Sequence, residues 1–331
     1  MLVKKINVGI LGATGTVGME LIRRLRDHPW FSVAELGASD ARVGSEMEGL
    51  VLRAVTSEWD SPVLFSALPT SVASDLEPKL ALRGHTVVSN ASAHRLGQDI
   101  PLLVPEVNAG HLALLSRQEW SGGLVTNPNC AVAGLVLALA PLARTLGIEA
   151  SVVTTLQAIS GAGRPGPSAG DLIDNVLPFI PGEEAKVEEE PQRILGSLAE
   201  TGVVPAGFAT VATCTRVPVL HGHTASATVT VSEATTLAAV TDILTTQEGL
   251  APRPDLPSSP ERVIHVCSES DRPQPRLDRD LDNGMAVSVG RIRARESTVS
   301  FIAMTHNLGR GAAGAALQNA ELLRAEGHLD G

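Results

Sequence analysis

Lys5-Ile6-Asn7-Val8-Gly9-Ile10-Leu11 runs directly into Gly12-Ala13-Thr14-Gly15-Thr16-Val17-Gly18 and then into Met19-Glu20-Leu21-Ile22-Arg23-Arg24-Leu25-Arg26. The first segment is short, apolar and partly β-branched, the signature of a buried strand. The last carries apolar residues at 19, 21, 22 and 25, a helical spacing. A glycine-rich turn between a strand and a helix is the setting in which backbone receives the pyrophosphate of a dinucleotide. Gly12 permits the tight turn, Gly15 lets the backbone approach the phosphates, and Gly18 allows close helix–sheet packing. Thr14, Thr16 and Val17 complete the loop whose helix N-terminus faces the phosphates.

Further along, Phe31-Ser-Val-Ala-Glu-Leu-Gly-Ala38 reads as a second strand ending in the polar cluster Ser39-Asp40-Ala41-Arg42. This strand end meets the adenosine ribose in a Rossmann sheet, where an acidic residue favours the 2′-hydroxyl of NAD and Ser or Arg the 2′-phosphate of NADP. Both kinds are present, so NADP and NAD stay open on these residues. Ser61–Thr70, containing Ser66, and Thr86–Asn90 read as further parallel strands with functional C-terminal ends. Strands alternating with helices make the N-terminal part α/β, a doubly wound sheet.

A chain of 331 residues exceeds one ordinary core and suggests two domains. Its net charge of −10 argues against a general nucleic-acid surface, which needs a basic stripe. Three distant cysteines, Cys130, Cys214 and Cys267, give neither a disulfide framework nor a metal-binding pattern. The N-terminus lacks the features of a signal peptide, and no apolar run has the roughly 18–20 residues of a membrane span. The expectation is a soluble, cytoplasmic protein with no metal, no nucleic acid and no membrane partner.

Thr126-Asn127-Pro128-Asn129-Cys130 precedes the small, apolar run Ala131–Ala140. Proline fits just before a helix, so Cys130 is placed in a first turn, where free N–H groups and the helix dipole favour an anion. That position pushes a thiol towards the nucleophilic thiolate. The same N–H groups, with the Asn129 amide, suit an oxyanion formed when sulfur attacks a carbonyl. Taken alone, Cys130 is as readily a small buried hydrophobe.

Beyond it, 150–160 reads as a long strand containing Gln157, followed by a glycine- and proline-rich loop. Residues 184–200 are acidic and then helical, with Glu190 and Arg193 on an i, i+3 face. Residues 209–231 read as two strands around a bend that holds Arg216, His221 and His223. Arginine suits bidentate carboxylate recognition, and histidine suits proton transfer near neutral pH. Asp282-Asn283-Gly284 marks a turn before another strand, and 305–314, with Asn307, opens an Ala-rich closing helix.

Together these segments resemble the aspartate-β-semialdehyde dehydrogenases of the archaeal and fungal branch. The resemblance spans nearly the whole chain: GATGTVG at 12–18, VPEVN at 104–108, NPNC at 127–130, QAISGAG at 157–163, RVPVLHGH at 216–223, DRPQPRLDRDLDNGM at 271–285 and HNLGRGAAGAA at 306–316. It implies a Rossmann domain (1–127) completed by the C-terminal helix (308–331), and an α+β catalytic and dimerisation domain over 128–307. By motif, Cys130 is the nucleophile, Gln157 orients substrate, and His223 is the acid/base. Arg216 holds the α-carboxylate, Glu190 the α-amino group, Arg95 with Asn90 the phosphate, and Asn307 lies near the nicotinamide. Arg193 stands for a frequent lysine on the phosphate-side helix. Ser39, Arg42 and Ser66 join the 12–18 turn on the cofactor side, with NADP preferred and NAD possible because Asp40 intrudes on a thinned basic cluster. The implied reaction is reversible, phosphate-releasing reduction of L-4-aspartyl phosphate to L-aspartate semialdehyde through a Cys130 thioester, on the route to Lys, Thr and Met. The implied assembly is a homodimer or homotetramer. Two alternatives remain: a sibling reductase of N-acetyl-glutamyl phosphate or malonyl-CoA, and an idle paralogue that only binds NADP.

Overall fold

A computed structural model describes residues 4–56 and 58–329, the side chain of Asp40 excepted. The N-terminal half is built on one sheet. Its strands are β1 (Ile6–Leu11), β2 (Phe31–Ala38), β3 (Glu46–Met47), β4 (Leu50–Ala54), β5 (Val63–Ser66), β6 (Thr86–Ser89) and β7 (Gly123–Thr126), in spatial order β3-β4-β2-β1-β5-β6-β7. All neighbours are parallel except β3 with β4. The order reverses between β1 and β5, which opens a crevice at the carboxyl ends of these strands. The glycine turn after β1 and the helix Thr16–Leu25 stand at that crevice.

The closing helix Gly314–Ala325 returns to this sheet. Its residues Ala316, Leu317, Ala320, Leu322 and Leu323 share one core with Val8, Ile10, Leu21, Phe31 and Val125. Buried Glu321 pairs with His28 Nε2 at 2.8 Å and accepts from Ser258.

The second sheet contains β8 (Ile148–Gln157), β11 (Ala209–Arg216), β12 (His223–Val231), β13 (Ile264–Val266), β14 (Val287–Arg295) and β15 (Thr298–Thr305), ordered β11-β8-β12-β15-β14-β13. A separate hairpin, β9 (Ser197–Ala199) with β10 (Gly202–Val204), follows the acidic helix Glu183–Ile194. The bend at 217–222 therefore does not close a hairpin: β8 sits between β11 and β12. Parallel pairing sets Gln157 opposite Arg216, and antiparallel pairing sets Leu156 opposite Thr224. Gln157, Arg216 and His223 consequently share one end of three adjacent strands.

The helix Cys130–Thr145 is buried continuously from Ala131 to Leu142. A helix apolar on all sides has to be enclosed. It packs between β12, β14 and β15 of this sheet and the turn Gly309–Ala313. The outer face of β8 and β11 instead carries Val152 and Val211, 57% and 61% exposed. No helix of the described residues is long and apolar enough to cross a membrane.

Candidate active site

Cys130 opens its helix with Asn129 as the N-cap, whose Oδ1 accepts the Ala131 N–H at 2.9 Å. Cys130 Sγ lies 3.1 Å from Nε2 of His223, which is 2% exposed at the start of β12. The other ring nitrogen, Nδ1, accepts the Ala158 N–H at 2.9 Å. A nitrogen that accepts an N–H carries no proton, so the neutral ring holds its proton on Nε2, facing sulfur.

Desolvation then decides the ionisation of the pair. Burial, reinforced by the Arg216 charge, pushes His223 down to about 3. Burial, reinforced by the Glu183 carboxylate, pushes the Cys130 thiol up to about 12 against Arg95, Arg216 and Lys186. Both shifts favour the uncharged forms, thiol and neutral imidazole, and oppose the pull of the helix N-terminus towards a thiolate.

Around the sulfur, Glu183 collects three donors. Its Oε2 accepts from Asn129 Nδ2 at 2.8 Å and Gln157 Nε2 at 3.1 Å, and its Oε1 accepts from Lys186 Nζ at 2.7 Å. Burial opposes its charge, yet these bonds, led by Lys186, hold the carboxyl below the usual range. One N–H of the Asn129 amide goes to this node, and Asn129 also lines the cleft beside the first helical turn. Arg216 Nη1 donates to the Ala158 carbonyl at 2.8 Å. Asn307 Oδ1 accepts the Gly222 N–H, and its Nδ2 donates to Ser160 Oγ, both at 2.9 Å. His221 pairs with the same Ser160 hydroxyl and stacks on His306, clear of the sulfur.

One cleft of about 590 Å³ joins these groups to the nucleotide turn. Thr14–Val17, Asn90, Arg95, Cys130, Glu183, Lys186, Arg216 and Asn307 all reach it. Two family models match the chain, "Semialdehyde dehydrogenase, NAD binding domain" over residues 7–115 and "Semialdehyde dehydrogenase, dimerisation domain" over residues 139–310. The chain belongs to the semialdehyde dehydrogenase family. A relative named aspartate-semialdehyde dehydrogenase, from Archaeoglobus fulgidus, is 46% identical over 96% of this chain and 98% of its own. The solved structure of aspartate semialdehyde dehydrogenase with NADP from Candida albicans superposes with a TM-score of 0.87 at 36% identity, covering 98% of this chain and 99% of that one. A malonyl CoA reductase (NADP) from Metallosphaera sedula is 34% identical over 99% of both chains.

In this semialdehyde dehydrogenase the nucleotide turn fits a dinucleotide. Gly12 has φ +82°, and a Cβ there would lie 2.7 Å from the Ala67 carbonyl oxygen. A Cβ on Gly18 would collide with the Gly12 carbonyl, so the turn closes only around glycines. Ser39 and Arg42 are exposed beyond the end of β2. Ser66 is corrected: it is fully buried, and Ala67–Thr70 form the cleft wall after β5.

Glu190 and Arg193 lie off the cleft wall. Glu190 is 2% exposed and is not among the residues lining the cleft. Arg193 Nη2 clamps the carbonyls of Gly97 and Gln98 at 2.6 and 2.9 Å, away from the sulfur. Glu183 and Lys186 line the cleft. Seven residues make two turns, so Glu183 and Glu190 share a helix face while lying roughly 10 Å apart along its axis. Spacing on the acidic helix identifies the face but not the depth. Gly161 and Gly311 were equally hidden. A Cβ on Gly161 would sit 2.9 Å from the His223 ring, and one on Gly311 would sit 3.0 Å from Cys130 Cβ.

Proposed function

We propose that this chain is an aspartate-semialdehyde dehydrogenase that reduces L-4-aspartyl phosphate reversibly, in the cytoplasm, within Lys, Thr and Met biosynthesis. The observation that carries this reading is the 3.1 Å Cys130–His223 contact inside a cleft shared with the glycine turn and with Arg95, Lys186 and Arg216. Cys130 Sγ attacks the acyl carbon, phosphate leaves, and a thioester forms on sulfur. NADP(H), held along Thr14–Val17 with Ser39 and Arg42 beyond β2, supplies the hydride when bound. His223 serves as the acid, its Nε2–H donating to the substrate oxygen as charge develops there, while the Cys130 thiol proton departs on the leaving phosphate. Arg216 receives the α-carboxylate, Glu183 the α-amino group, and Gln157 steadies Glu183. Arg95, Asn90 and Lys186 receive the phosphate, and Asn307 with Ser160 lines the nicotinamide side. Glu183 weighs against a malonyl-CoA substrate, which has no ammonium to offer a carboxylate.

We place the domains at 1–127 with 308–331 and at 128–307. The exposed Val152, Leu156 and Val211 face of the second sheet pairs with a second copy in a homodimer.

The test follows NADPH formation with L-aspartate semialdehyde and inorganic phosphate, beside Cys130→Ala, with NAD and malonyl-CoA as comparison arms. Phosphate-dependent turnover absent from the variant supports the reading. No turnover despite intact cofactor binding overturns it.

A further inference from the structure

The acidic helix holds one buried carboxylate, Glu190, that the reaction leaves unassigned. Glu190 is enclosed, and its two oxygens go to different parts of the site. Oε1 accepts from Arg95 Nη1 at 2.8 Å, and Oε2 accepts from the backbone N–H of Asn129 at 2.6 Å. The first partner reaches the cleft; the second is the residue immediately before Cys130.

Arg95 is held on its other branch as well, where Nη2 donates to the Asn90 carbonyl at 2.8 Å. Its Nε is buried and finds no acceptor among the described residues. An arginine fixed through both terminal nitrogens with its remaining N–H unsatisfied is prepared for one more acceptor, since a buried donor left unpaired is costly. Arg95 itself is 7% exposed. Glu190 and the Asn90 carbonyl together fix the plane of the guanidinium, and Glu190 alone brings a charge to it.

On the second arm, the Asn129 N–H stands outside the helical ladder, at the point where backbone direction sets the aim of Sγ. Its side chain already serves Ala131 and Glu183, so Glu190 supplies the remaining restraint on this residue. A buried ion pair contributes little net stability, and its use lies more often in fixing geometry.

We propose that Glu190 is a positioning residue that locks the anion-binding guanidinium of Arg95 and the Asn129–Cys130 turn into one unit. It keeps an incoming phosphate oxygen and the sulfur-bound acyl carbon in register. This rests on Arg95 being the phosphate ligand of the proposed reaction, yet it makes a claim that requires no turnover. Occupancy of the anion site is felt at Cys130 through a single carboxylate.

The experiment measures the rate of Cys130 alkylation by iodoacetamide as inorganic phosphate is raised, in wild type and in Glu190→Gln. The amide retains an acceptor for Asn129 but turns an N–H donor towards Arg95. In wild type, phosphate changes the alkylation rate with saturation. In Glu190→Gln half-saturation moves to roughly tenfold higher phosphate, the scale of losing one charge-assisted hydrogen bond, while NADPH binding is unchanged. Arg95→Ala alters the phosphate-free alkylation rate, and the double variant matches a single one rather than adding to it. If Glu190→Gln does not accumulate folded, Glu190→Asp gives the same reading with charge kept and reach shortened. A lowered Tm with wild-type half-saturation overturns the proposal, leaving Glu190 a purely structural ion pair. A wild-type alkylation rate indifferent to phosphate overturns it as well. Failure of turnover on aspartate semialdehyde, with the phosphate effect intact, would instead fault the substrate assignment.

Discussion

The backbone N–H of Ala158 donates to Nδ1 of His223 at 2.9 Å, so the proton of the neutral ring must sit on Nε2, against Cys130 Sγ. Protonating Nδ1 would set two N–H groups against each other. The same strand end that carries Gln157 therefore selects the tautomer of the acid/base group through the residue that follows it.

The pH dependence follows with opposite signs for the two partners. An unfolded cysteine loses its proton near 8.5, whereas folded Cys130 keeps it to about 12. Alkylation by iodoacetamide is expected to rise about tenfold per pH unit from pH 7 to 9 with no plateau. Stability contributed by the buried thiol is lost as pH climbs above about 8.5. His223 is neutral down to about 3, while the unfolded ring takes a proton near 6.5. Its contribution to stability is therefore lost as pH falls below about 6.5. Melting curves across pH, with His223→Gln as the comparison, check the acid side: the variant should lose less on acidification. A plateau of alkylation near neutrality would refute the thiol assignment.

Replacing His223 by Gln removes proton transfer while keeping volume. Turnover should fall by about 10²–10⁴, with the semialdehyde KM within a few fold. Steady-state kinetics decide it, and an unchanged kcat would exclude His223 from the chemistry.

Gly311→Ala should damage catalysis without touching substrate. The new methyl would meet Cys130 Cβ and the Cys130 carbonyl oxygen at 3.0 Å, so the nucleophile's turn must shift. Overpacking of this kind costs about 1–3 kcal/mol, and kcat should drop alongside Tm. Retained kcat with a lowered Tm would mean that the shift spares the sulfur.

Arg42→Ala tests the ribose side. Arg42 is exposed beyond β2, where a 2′-phosphate would end. The KM for NADPH should rise roughly tenfold while that for NADH stays constant. Equal effects on both cofactors would remove Arg42 from phosphate recognition.

Val211→Asp places a charge in the middle of the exposed sheet face, at a residue 61% exposed in one copy. Sedimentation should show a dimer in wild type and a monomer-shifted equilibrium, weaker by roughly tenfold or more, in the variant. An unaffected dimer would locate the interface elsewhere.

How far the sequence discloses this site depends on what each residue's role requires. Gly12 and Gly18 are legible because backbone geometry leaves no room for a side chain there, and with Gly15 their positions in the strand–turn–helix unit match. Cys130 is legible as a helix start because proline and an Asn N-cap precede it. The choice between Glu183 and Glu190 is not legible, since both lie on one face of one helix and differ only in which neighbours meet that face. The ionisation of Cys130 is hidden for a related reason: it is set by burial among distant segments, which local spacing does not report. The same applies to β15, which supplies a central strand of the second sheet and pairs with β12 from Thr230↔Thr298 to His223↔Thr305, far apart along the chain.

The closing helix has a consequence for how the protein comes into being. Ala316, Leu317, Ala320, Leu322 and Leu323 fill the core of a sheet whose first strand begins at Ile6, and Arg324 reaches back to the Trp30 carbonyl. During synthesis the first half of the chain leaves the ribosome with that core open, and stays so until Gly314–Ala325 is made. The second sheet, continuous in sequence from Ile148 to Thr305, has all its strands available earlier. The order of completion thus reverses the order of translation. The sheet's core is sealed after the second sheet, and a chain released before Gly314 retains every residue named in the site yet lacks the helix that covers its first strand.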